Sequence, residues 1–326
     1  MTNSCLRPTR LGFGSSSLAG VGSASVQQIL LGTAYDEGIR HFDTAPYYGS
    51  GDAETILGRF LATKRSGITV TTKYGLASGV GGARMRLARQ AARKVFQWVP
   101  GLKSRLSKAT GRAAPTTKHF SIDGLGRSVD VSLANLGVES IDFLMLHDWP
   151  ANRALADDVM AAVEDLVQKG KVRVAGVASS VDAAWEVLEA STPYQALQFE
   201  HSLRCPATQV IGRASQCHVF THRALAETFS SLQRVLSVRP GLAEKWTKEL
   251  GVPIASPEVL AAALMEWALR TNPAGTILFS ARSPDKIRKN AAVLRSETLG
   301  ESGAQKLEEL FARIRSTTAA LNGAIS

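Results

Sequence analysis

The sequence predicts an α/β fold closed as a (β/α)8 TIM barrel, and three observations lead there. Short apolar runs alternate with amphipathic stretches along nearly the whole chain. Most runs are continuously apolar rather than alternating, as in strands buried on both faces of a parallel sheet. Chemically distinctive residues stand just past the ends of several runs, and in barrels of this kind the chemistry collects where strands end and helices begin.

In chain order, the first strand is expected at 10–13 and the first helix at 24–37. Gly38-Ile39-Arg40-His41-Phe42 contains the second strand, at 39–42, and runs into Asp43-Thr44-Ala45-Pro46-Tyr47-Tyr48-Gly49. A helix at 52–64 leads to the third strand, at 68–73, whose Ile68-Thr69-Val70-Thr71-Thr72 is rich in β-branched residues and ends at Lys73. After a helix at 123–136, the run Ile141-Asp142-Phe143-Leu144-Met145-Leu146, with its strand at 142–146, ends at His147-Asp148. Further strands are read at 172–177, 195–199, 217–220 and 276–279, with helices at 155–169, 181–190, 204–214, 256–270 and 283–295 and a C-terminal helix at 300–326. The 326 residues are read as one barrel domain, because such barrels run to roughly 250 residues plus insertions.

A doubly wound dinucleotide fold is the rival. Its glycine fingerprint fails: Gly12-Phe13-Gly14 and Gly20-Val21-Gly22 have Ser17 and Ser25 where the third glycine belongs. No P-loop is present.

Apolar residues make up 44% of the chain and mean hydropathy is near zero, which indicates a soluble globular protein with an ample core. Cys5, Cys205 and Cys217 form no metal or disulfide framework, and their odd number suits a reducing compartment, so a cytoplasmic location is expected. Arg7 and Arg10 precede a stretch, 11–25, too rich in Gly and Ser for a signal-peptide core. No run approaches the roughly 20 apolar residues of a membrane span.

The net charge of +10 belongs to one segment. Between positions 76 and 122 stand ten basic residues, among them Arg86, Arg89 and Arg93, and no Asp or Glu. The segment follows Lys73, so it is expected to leave the barrel at the site mouth. Three readings compete there: a lid bringing cations to an anionic substrate, a surface for nucleic acid or acidic lipid, or a solvated loop. Trp98 is the residue in it expected over the substrate, and nucleic acid is not the expected partner.

Asp43, Tyr48, Lys73 and His147 suit carbonyl chemistry. Adding hydride to a carbonyl builds negative charge on oxygen, so an acid must deliver a proton. A tyrosine can do so at neutral pH, a nearby ammonium tunes it, a carboxylate holds the ammonium, and a neutral histidine orients the carbonyl. Each also has an ordinary reading: Asp43 as a helix cap, Tyr48 as a packed loop aromatic, Lys73 as a solvated cation, His147 as a buried ring satisfied by backbone. Their ordered combination favours catalysis.

Through the 38–49 motif, Thr72-Lys73 and the 141–147 run, the chain resembles the aldo-keto reductase superfamily over nearly its whole length. The insertion and Phe120-Ser121-Ile122-Asp123 look most like the branch of sugar dehydrogenases such as fucose and galactose dehydrogenases. The resemblance implies an oxidoreductase moving hydride between a nicotinamide cofactor and a carbonyl or alcohol of a sugar or small aldehyde. Tyr48, five residues past Asp43, becomes the proton donor rather than Tyr47, and Tyr47, Trp98 and Asp148 are assigned to the substrate. Ser179, Gln198, His222, Ser280, Arg282, Lys286 and Asn290 are assigned to the cofactor. The chain also departs from the family pattern. Ala178-Ser179 replaces the usual Ser-Asn pair, with Ser180 a possible substitute, and His222 stands where a larger aromatic stacks on nicotinamide.

Ser283-Pro284 can open a helix, and Arg282 and Lys286 favour the 2′-phosphate of NADP over the hydroxyl of NAD, against the missing acidic residue near Lys289. No metal is expected: His218 and His222 lie near Cys217, but no Glu accompanies them and a strand separates their directions. The alternative function, motivated by Ala178-Ser179 and His222, is a low-turnover nicotinamide-binding sensor or partner-binding subunit on the same fold.

Overall fold

Eight parallel strands close on themselves in the computed structural model, which describes residues 6–78, 116–118 and 120–323. They are β1 (Leu11–Gly14), β2 (His41–Asp43), β3 (Thr69–Tyr74), β6 (Ile141–His147), β7 (Val172–Ala178), β8 (Ala196–Glu200), β9 (His218–His222) and β10 (Thr276–Phe279). The order around the barrel is β1-β10-β9-β8-β7-β6-β3-β2. Each barrel strand overlaps the apolar run expected to form it. A run buried by the barrel interior on one side and by helices on the other needs no polar alternation.

The helices follow the same logic, with three additions to the expected pattern. The helix expected at 155–169 is Asp157–Gln168, and a short helix not anticipated, Ala151–Ala154, precedes it. Two helices not anticipated, Ala226–Val238 and Pro240–Leu250, fill the connection between β9 and the helix Pro257–Thr271. A two-stranded antiparallel hairpin, β4 (Leu76–Ser78) with β5 (Thr116–Lys118), brackets the basic insertion. Trp98 and the interior of the 76–122 insertion lie outside the described residues. The C-terminal helix spans Gly303–Gly323. Among the described residues, no helix is long and apolar enough to cross a membrane.

Aromatic rings and two histidines fill the barrel interior. His41 stacks on Phe220 at 4.6 Å between ring centroids, and Phe220 meets Phe143 edge-on at 5.0 Å. The His41 nitrogens reach Thr69 Oγ1 at 2.9 Å and Thr71 Oγ1 at 3.3 Å, while His218 Nε2 reaches Thr276 Oγ1 at 3.0 Å. These hydroxyls satisfy rings that burial would otherwise leave unpaired. Outside the sheet, Trp149, Trp246 and Trp267 are fully buried, and each large apolar side chain so buried contributes about 1.5–3 kcal/mol.

Five of the six histidines are held below their ordinary pKa chiefly by burial: His201, His218 and His222 at about 4, His147 at about 2, and His41 well below 6.5. In the unfolded chain each ring accepts a proton near pH 6.5; in the folded chain it resists. Their contribution is therefore complete above pH 6.5 and is lost as pH falls toward 4. The slope approaches ~1.4 kcal/mol per pH unit for each ring. The urea midpoint is expected to drop between pH 7 and pH 5. An unchanged midpoint over that interval would exclude a stabilising role for the neutral rings.

Candidate active site

Asp43, Tyr48, Lys73 and His147 meet at the C-terminal ends of the strands, around a cleft of about 1020 Å³. Asp43 ends β2, Lys73 is next to last in β3, His147 ends β6, Gln198 lies in β8 and His222 ends β9. Parallel pairing sets Asp43 beside Thr71 and Lys73 beside Met145, so residues far apart in the chain share one layer. Tyr48 opens a 3-10 turn, Tyr48–Gly51, just after β2. Gly49 in that turn has φ +59°, and a Cβ there would meet the Ala19 Cβ at 2.1 Å. The close approach locks the loop after β2 against the loop after β1 and so fixes where Tyr48 sits.

Lys73 is almost wholly buried. Its ammonium donates to both Asp43 oxygens at 2.6 Å and to the Thr44 carbonyl at 3.0 Å. Burial pushes the Asp43 carboxyl up and the Lys73 ammonium down, while their attraction pulls each back toward its charged form. The Lys73 Nζ also lies 4.9 Å from the Tyr48 ring centroid. Behind it, Glu54 accepts from Thr72 Oγ1 at 2.7 Å and Asn135 Nδ2 at 3.1 Å, pinning β3 one residue before the lysine.

Burial holds the Tyr48 phenol well above the ordinary tyrosine range; the Asp43 carboxylate adds to the rise and a hydrogen bond from Tyr47 opposes it. The expected tuning of this phenol by a nearby ammonium is thus offset, because Lys73 arrives with its counter-ion. Tyr47 is pushed up to about 12, by burial first and Tyr48 second. The Tyr47 and Tyr48 rings lie 5.3 Å and 6.1 Å from His147. Burial, Lys73 and His222 in that order keep His147 neutral, and its Nδ1 is buried with no hydrogen-bond partner.

The cofactor-assigned residues divide into two groups. Ser179, Gln198, His222 and Ser280 line the cleft. Gln198 Oε1 is buried and unpartnered, an acceptor suited to a carboxamide N–H. Ser179 Oγ donates to the Trp149 carbonyl at 2.8 Å, which leaves only its lone pairs for a ligand, and Ser180 is committed to capping the next helix through Ala183 N at 3.2 Å. Ser280 Oγ donates to the Gly14 carbonyl at 2.7 Å. Arg282, Lys286 and Asn290 are not among the residues that line the cleft: Arg282 and Lys286 are exposed and Asn290 half-buried at the helix Pro284–Ala292, which Ser283 caps. His218 and His222 occupy opposite ends of β9, so distance along the strand parts them rather than opposed directions. Among the described residues, no group of three His, Cys, Asp or Glu could hold a metal.

At the rim, Asp148 has φ +61° and an ion pair with Lys118 of β5 at 2.7 Å. Both side chains are about half exposed, so the pair contributes at most about 1 kcal/mol. Between β3 and β4, Gly75 has φ +128°, and a Cβ there would meet Trp149 Nε1 at 2.2 Å, so only glycine admits the buried indole at this point. Glu200 and Arg223, which sequence reasoning missed, also line the cleft and pair at 3.2 Å. Nothing in their local sequence marks them, because the contact joins the ends of two strands.

Residues 10–214, more than half of the chain, match the aldo/keto reductase family. The chain belongs to the aldo/keto reductase family. It is an oxidoreductase of that family, and relatives agree. A pyridoxal 4-dehydrogenase from Microbacterium luteolum is 27% identical over 323 residues, covering 87% of this chain and 89% of the relative. A D-threo-aldose 1-dehydrogenase from a Pseudomonas species is 33% identical over 159 residues, 48% of this chain and 44% of the relative. Among solved structures, a glycerol dehydrogenase from Gluconobacter oxydans superposes with a TM-score of 0.69 at 21% identity, over 94% of this chain and 92% of the other. At that identity the likeness speaks for the fold alone, an aldo/keto reductase barrel.

Proposed function

We propose that this aldo/keto reductase moves hydride between a nicotinamide cofactor, NADP in preference to NAD, and the carbonyl or alcohol carbon of a sugar or small aldehyde. Tyr48 is the proton donor and acceptor. The observation that carries the proposal is the convergence of Tyr48, the buried Asp43–Lys73 pair and neutral His147 on one cleft that is also lined by Gln198, whose buried Oε1 has no partner.

Bound nicotinamide supplies or accepts the hydride. In reduction, Tyr48 gives its proton to the substrate oxygen, and burial keeps that proton on the phenol until charge develops. Neutral His147 orients the same oxygen from one ring nitrogen. Lys73, anchored by Asp43, steadies negative charge on Tyr48 in the reverse direction. Gln198 and Ser179 would hold the carboxamide, with His222 beneath the ring. Arg282 and Lys286, close after Ser280, support the phosphorylated cofactor by charge. The names of the two dehydrogenase relatives, one directed at pyridoxal and one at an aldose, support the substrate class.

Fluorescence titration with NADPH and NADH tests the cofactor reading, with NADPH expected to bind more tightly. A strong NADH preference overturns the choice of NADP. Turnover of an aldehyde and sugar panel, with Tyr48→Phe as control, tests the reaction. A wild type that binds NADPH yet matches Tyr48→Phe on every substrate is instead a binding subunit.

A further inference from the structure

The charges lining the cleft are out of balance for an anionic ligand. Among the described lining residues, the carboxylates are Asp43, Asp148, Asp182 and Glu200, and the permanent cations are Lys73 and Arg223. Lys73 is locked between both Asp43 oxygens and the Thr44 carbonyl. Arg223 is held differently. Its Nη1 meets Glu200 Oε2 at 3.2 Å, with side-chain exposures of 61% and 34%, so water competes for both ends of the pair. An ion pair this wet is weak and readily exchanged. The backbone of Arg223 has φ +64°, an uncommon conformation for a residue with a β-carbon, and such outliers gather at ligand sites.

Position decides which ligand could make the exchange. Arg223 directly follows His222, at the nicotinamide end of the cleft in the reading above, and shares the cleft with Ser280, which precedes Arg282 and Lys286. The middle of a dinucleotide, between its nicotinamide and adenosine ends, is its diphosphate. A guanidinium binds such oxygens in charge-assisted pairs stronger than a solvated contact with one carboxylate.

We propose that the Glu200–Arg223 pair is a clasp operated by the ligand's diphosphate: the entering dinucleotide takes Arg223 from Glu200 and is held by it. Glu200 thereby acts as an internal competitor that weakens binding and hastens release. The proposal rests on the nicotinamide reading given above.

The test is binding to the whole protein, followed by intrinsic fluorescence at two salt concentrations, with NADPH and NADH as ligands and inorganic pyrophosphate as competitor. Arg223→Gln is expected to raise both dissociation constants roughly tenfold and to flatten their salt dependence. Arg223→Gly, which suits the left-handed backbone, should show the same loss. Glu200→Gln should tighten binding severalfold, and that gain should vanish when Arg223→Gln is also present. Pyrophosphate should compete with the cofactor in wild type more effectively than in Arg223→Gln. Wild-type cofactor binding that neither Arg223 variant nor Glu200→Gln alters overturns the clasp and leaves the nicotinamide reading intact. A wild type that binds neither cofactor overturns both.

Discussion

Tyr48→Phe is expected to lower kcat by roughly 10²–10⁴, the usual worth of positioned acid–base catalysis, with NADPH affinity little changed because the ring is retained. The pH dependence should separate the two directions. Burial lifts the phenol well above its ordinary range, so the proton stays in place through neutral pH and reduction has no need to slow there. Oxidation requires Tyr48 to shed that proton, so alcohol oxidation should accelerate as pH rises toward 10. Tyr47→Phe is the comparison: its ring also faces His147, but the Lys73 ammonium lies over the Tyr48 ring. If Tyr47→Phe abolishes turnover while Tyr48→Phe stays active, the donor has been misassigned.

Lys73→Met is expected to damage folding as well as chemistry. It strands the Asp43 carboxylate in a site that is 4% exposed, and removing one partner of a buried ion pair costs about 3–5 kcal/mol. Asp43→Asn should cost a similar amount by leaving the ammonium uncompensated. The double variant Asp43→Asn/Lys73→Met should recover much of the stability, since two neutral side chains carry no such desolvation penalty, yet stay catalytically poor. Urea unfolding read beside kcat distinguishes these effects. Single variants that each cost less than about 1 kcal/mol would mean that water reaches the pair and screens it.

Much of the fold was legible because strand and helix periods are local properties. The run Ile141 to Leu146 reads as a buried strand wherever it is placed, and it forms one, Ile141–His147. Helices Ala226–Val238 and Pro240–Leu250 escaped notice for an equally physical reason. Each buries only a few side chains, Thr228, Leu232 and Leu236 in one and Ala243, Trp246 and Leu250 in the other, and Arg239-Pro240-Gly241 interrupts the pattern between them. At the site, Asp43, Tyr48, Lys73 and His147 could be picked out because each follows an apolar run, while Glu54, Glu200 and Arg223 could not. A buried glutamate that steadies β3 and an ion pair between the ends of β8 and β9 exist only once distant segments touch.

The sequence by itself determined the alternation of strands and helices and the identity of the groups at the strand ends, since both depend on side-chain type and short-range order. Only the tertiary structure decided the state of those groups. Barrel closure buries Lys73 together with its counter-ion and strips water from Tyr48 and His147, which keeps a proton on one and off the other. Closure also leaves Arg223 paired but wet at the rim of the same cleft. Charge and proton affinity follow from desolvation and, for Asp43 and Lys73, from a partner thirty residues away, and no local pattern encodes those.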